Sequence, residues 1–155
     1  TFLENQKIAL RRQLQMARNH KLPVSIHTRE AFDEIYEIVS DELTEDLSGV
    51  FHCFTGNAEQ AQKIIDTGFK LGIGGVVTFK NSGLDKVLKD VPLEHLVLET
   101  DAPFLTPVPY RGKRNQSSYV LFVAEKLAEI KEVSVDEVAE ITSATAQDVF
   151  NLTNQ

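Results

Sequence analysis

The 155 residues carry 16 Lys and Arg against 23 Asp and Glu, a formal net charge of −7. That balance excludes a protein that coats nucleic acid through bulk charge, while leaving room for local, metal-assisted contact with it. With 42% hydrophobic and 25% charged residues the chain has the makings of one globular domain with a real core, and it contains no apolar run near the ~20 residues of a membrane span.

No signal-peptide pattern opens the chain, and the single cysteine, Cys53, has no internal disulfide partner, so a reducing cytoplasm is the expected compartment. The first residue is Thr1, and the only methionine, Met16, lies inside a helical pattern. The expectation is therefore a chain continuing something longer.

Leu3, Leu10, Leu14 and Ala17 recur at helical spacing and predict an uncapped first helix reaching His20. Pro23 ends it, and Val24 to Thr28 reads as a strand. Phe32, Ile35, Val39 and Leu43 mark a second helix, followed by a strand over Val50 to Phe54. Asn57 with Gln60 predicts a capping box for a third helix, and Gly68 sits where a helix C-terminal glycine belongs. A strand over Lys70 to Gly74, a short helix around Leu84, Val87 and Leu88, and a strand over Leu96 to Asp101 follow. Beyond the prolines at 103, 107 and 109, the stripe Val120, Val123, Leu127 and Ile130 predicts a long helix. Ser134 with Glu137 opens a helix through Val135, Val138 and Ile141, and Ala146, Val149 and Phe150 predict a further one.

Strands alternating with helices at this spacing form right-handed βαβ units and a parallel sheet. Chemistry in such folds gathers at the carboxyl ends of strands. His27, His52 and Asp101 fall there, and strand ends in His, His and Asp are the raw material of a metal site. Glu99 shares the face of Asp101 one step deeper, where a second carboxylate is best used to accept hydrogen bonds from a ligand. Cys53 is expected to point away from His52 as a small core residue. Arg111, on a proline-stiffened loop, has a planar fork suited to phosphate, with Lys80 and Arg29 as further charges on the same rim. Asn115 is expected to tie down its own loop.

Five stretches then carry a resemblance: Leu22-Pro23-Val24-Ser25-Ile26-His27-Thr28-Arg29-Glu30, Phe51-His52-Cys53-Phe54-Thr55-Gly56, Leu71-Gly72-Ile73-Gly74-Gly75, Leu98-Glu99-Thr100-Asp101-Ala102-Pro103 and Arg111-Gly112-Lys113-Arg114-Asn115. In this order they resemble the TatD-type metal-dependent deoxyribonucleases, amidohydrolase-like TIM barrels. The resemblance implies an α/β chain forming the C-terminal half of a (β/α)8 barrel, residues 1–155 as a single unit, with the N-terminal half absent. It also implies His27, His52 and Asp101 as metal ligands, with Asp101 orienting the attacking water.

The expected cofactor is a divalent ion, Mg, Mn or Zn, and the expected substrate single-stranded DNA. The family's first-strand His-x-His pair and fourth-strand Glu have no counterpart here, which leaves two rivals open: an inactive piece, or a related hydrolase of small esters or amides. Unpaired edges at the Val24 and Leu96 strands, with Val50 and Val97 apolar inside, predict self-association or docking of the missing half.

Overall fold

The computed structural model describes residues 1–152. Its strands are β1 (Val24–His27), β2 (Gly49–His52), β3 (Lys70–Ile73) and β4 (Leu96–Leu98), all parallel and ordered β1-β2-β3-β4. Helices α1 (Phe2–Asn19), α2 (Phe32–Glu42), α3 (Ala58–Asp66) and α4 (Leu84–Lys89) alternate with them, and α5 (Val120–Lys131) and α6 (Val135–Val149) follow. Each strand is laid beside its predecessor in one direction. That is the winding of a barrel wall; a doubly wound sheet reverses its order. Among the described residues no helix is long and apolar enough to cross a membrane.

Alternation along the strands sorts the side chains onto two faces. Ile26, Phe51, Leu71, Ile73 and Leu96 point to the helices and enter the main core with Ile64, Phe69, Leu88 and Leu127. Val50 and Val97 point the other way. Each large aliphatic buried in that core is worth about 1.5–3 kcal/mol.

Local chemistry explains the helix ends. Asn57 and Gln60 form the full capping box, each side chain meeting the other's backbone N–H at 2.9 and 3.0 Å. The Ser134 hydroxyl accepts from the Glu137 N–H at 3.1 Å.

The helices and the underside of the sheet depart from the sequence expectations. The first helix is capped after all, because Thr1 Oγ1 accepts from the Glu4 N–H at 3.4 Å. The last two expected helices are one, α6. Its middle, Thr142 to Thr145, holds no Gly or Pro, and both threonine hydroxyls donate back to carbonyls four residues earlier. Nor are Val50 and Val97 open to a partner: Val149 and Ala146 of α6 fold under the sheet and bury them to 2% and 6% exposure.

Candidate active site

Strand β2 ends sooner than its apolar run. Cys53 takes a left-handed φ of 50° and breaks the ladder, although the Phe54 N–H returns to the Gly72 carbonyl at 2.9 Å. The turn aims the Cys53 N–H at Glu99 Oε1, 2.5 Å away. Strand β4 likewise stops at Leu98, with the Glu99 N–H still donating to the Ile73 carbonyl at 3.0 Å. Two early strand ends thus bring Cys53, His52, Glu99 and Asp101 together at the carboxyl rim.

Glu99 organises this group. Its Oε1 lies 2.7 Å from His52 Nδ1, and its carboxylate fills the space above Gly72, where any Cβ would overlap it. With Nδ1 turned to Glu99, Nε2 is the nitrogen left to face Asp101 Oδ1, at 3.5 Å. An imidazole nitrogen and a carboxylate oxygen face each other there, both of them atom types that bind divalent ions. A separation of 3.5 Å matches an edge of the tetrahedron set by metal–ligand bonds of about 2.0–2.2 Å. The donor chemistry therefore fits a divalent ion.

His27 stands opposite His52 in the β1–β2 register, ring centroid to ring centroid 5.9 Å. His27, His52 and Asp101 line one cavity of about 630 Å3. Among the described residues, however, no group of three or more His, Cys, Asp or Glu side chains is arranged to hold an ion. His52 and Asp101 make a pair with His27 beside it, fewer donors than a closed coordination sphere requires.

Cys53 lines the same cavity rather than pointing away from it. Burial, reinforced by the negative charges of Glu99 and Asp101, pushes its thiol up to about 11, so at neutral pH it is protonated and a poor ligand.

The expected phosphate-binding residues separate. Arg29 lines the cavity; Lys80 and Arg111 are not among its lining residues. The Arg111 guanidinium instead lies over the Phe79 ring, 3.6 Å from its centroid, a stacking that the neighbouring aromatic could have signalled. Asn115 does tie down its loop, donating from Nδ2 to the Phe104 carbonyl at 2.7 Å. Sequence reasoning passed over Phe104 and Leu105, which line the cavity; two large apolar residues just after a site carboxylate were the available signal.

Residues 1–151 match the family model described as TatD related DNase. The chain is 45% identical over 148 residues to the uncharacterized metal-dependent hydrolase YabD of Bacillus subtilis, covering 95% of this chain and 58% of that protein. It is 41% identical over 140 residues to the uncharacterized metal-dependent hydrolase YcfH of Escherichia coli K12, covering 90% of this chain and 53% of that protein. The crystal structure of YJJV, a TatD homolog from Escherichia coli K12, superposes with a TM-score of 0.91 at 30% identity, covering 97% of this chain and 58% of the other. The chain thus spans between half and three-fifths of the length of these relatives. Fold, motif order and likeness converge, and the chain belongs to the TatD-related DNase family.

Proposed function

We propose that this chain is the C-terminal half of a metal-dependent phosphodiesterase barrel whose substrate is single-stranded DNA, with a divalent ion, Mg, Mn or Zn, as cofactor. The observation that carries the reading is His52, tethered through Nδ1 to Glu99 and facing Asp101 through Nε2. His52, Asp101 and His27 would hold the ion, which when bound polarises a phosphoryl oxygen and lowers the pKa of a water. Glu99 fixes the tautomer and the ring plane of His52. Asp101, the more exposed carboxylate, takes the proton from the attacking water. Arg29 neutralises charge growing on the scissile phosphate, and Lys80 and Arg111 are kept for flanking phosphates of the strand. A lone cysteine supports a reducing compartment, and we assign the protein to the cytoplasm.

The incomplete donor group favours a second element of this reading. The remaining ligands belong to the part of the relatives' length that this chain does not span, and residues 1–155 alone turn over nothing. The test compares the full-length protein with this chain by itself, each titrated with manganese by calorimetry and assayed on a labelled single strand. Metal-dependent cleavage by the full-length protein, lost in His52→Ala, is the expected result. A tight stoichiometric site in residues 1–155 alone, or cleavage indifferent to chelator, would falsify the corresponding half of the proposal.

A further inference from the structure

Phe104 is 68% exposed at the edge of the cavity that His27, Arg29 and Asp101 share. An exposed phenyl ring forfeits the gain of burial, and a loose loop would let it fold back onto the protein. This loop cannot. The Phe104 N–H donates to the Asp101 carbonyl at 2.7 Å, and its own carbonyl accepts from Asn115 Nδ2 at 2.7 Å. Asn115 is itself buried, and its N–H holds the Pro103 carbonyl at 3.0 Å. On the other side Leu105 is left-handed, with φ of 50°, and its carbonyl sits so close to Gly75 that a Cβ there would overlap it. Asp101, Asn115 and Gly75 together hold the backbone of an aromatic residue whose ring none of the described residues covers.

Resting on the phosphodiesterase reading above, we propose that Phe104 is the platform on which an unpaired nucleobase stacks, next to the phosphate held at the site. It is thereby the residue that makes the enzyme prefer a single strand. A nucleobase is a flat ring with an apolar face, and base-on-aromatic stacking tolerates any base. In a duplex that face is covered by its neighbours. A ring carried on a held backbone loses less freedom on binding than one on a loose loop, which favours its affinity. Arg29 on the same rim supplies the positive charge that the adjoining phosphate requires.

Residues 1–155 contain no tryptophan, so Phe104→Trp in the full-length protein puts an indole reporter at the proposed platform. Its emission, read as the difference from unsubstituted protein, is titrated with a short oligothymidylate and with an abasic strand of equal length. The expected result is saturable quenching, with a midpoint for the base-bearing strand about tenfold or more below that of the abasic one. Equal midpoints, absence of quenching, or an emission already that of a buried indole and indifferent to both strands would overturn the proposal. In parallel, the ratio of KM for abasic over base-bearing strands should collapse towards one in Phe104→Ala and be retained in Phe104→Tyr. An unchanged ratio in Phe104→Ala would equally overturn it. The titration reads binding alone, so failure to cut any phosphodiester strikes the phosphodiesterase reading while the quenching still judges the stack.

Discussion

At the carboxyl ends of the strands the chain exposes imidazoles and carboxylates beside an open cavity, and it holds Glu30, Cys53 and Leu105 at positive φ around it. At the amino ends the same strands meet α6, where Val149 and Ala146 close over Val50 and Val97 and Thr145 reaches the Glu94 carbonyl. A non-glycine residue in the left-handed region costs free energy, and a half-exposed carboxylate contributes little to cohesion. The rim therefore spends stability that the amino end and the helix layer supply. Changes at the rim should alter turnover with little effect on melting, and changes at the amino end should do the reverse.

Asp101→Asn in the full-length protein is expected to have the largest effect. Removing the proposed proton acceptor should lower kcat on the proposed substrate, single-stranded DNA, by about 10²–10⁴-fold with Tm nearly unchanged. Wild-type turnover in preparations free of host nuclease would break the comparison. Glu99→Gln comes next. It weakens the hold on His52 while keeping the volume, and should lower metal affinity or activity by about 10–100-fold. Unaltered metal affinity would reduce Glu99 to packing.

Val149→Ala, at the other end, should cost about 1–3 kcal/mol in denaturant unfolding while leaving kcat in place. It should also sharpen self-association, because it uncovers Val50 and Val97; a sedimentation profile identical to wild type would show that α6 is not what keeps that face closed. The smallest expected effect is at Lys131. Its ammonium donates to the Lys89 carbonyl at 2.9 Å and to the Val91 carbonyl, joining α5 to the end of α4 and the loop after it. Lys131→Met should lower stability by about 1 kcal/mol and leave the rim untouched.

Much of this was legible in the chain because it is local. The Asn57–Gln60 box, the strand-helix alternation and the rim position of His27, His52 and Asp101 all follow from neighbours in sequence. What escaped is set by contacts between distant segments. Cys53 turns left-handed because its N–H meets a carboxylate 46 residues away. Arg111 is stacked on Phe79, from the other side of β4. The underside of the sheet is closed by a helix that the sequence pattern divides in two, since no periodicity announces which strand face a late helix will cover.

The crowding between Gly72 and the Glu99 carboxylate restricts how this sequence can drift. An alanine at 72 would push Glu99 aside and release His52, so that substitution is silent only if position 99 shortens first. Shortening first, as in Glu99→Asp, withdraws the carboxylate from His52 by one methylene. Each single step crosses a valley of lost activity, and only the double change could re-form a contact of another kind. Positions 72 and 99 should therefore show strong reciprocal epistasis in a pairwise substitution library, although they are far apart in sequence, one on β3 and the other just past the end of β4.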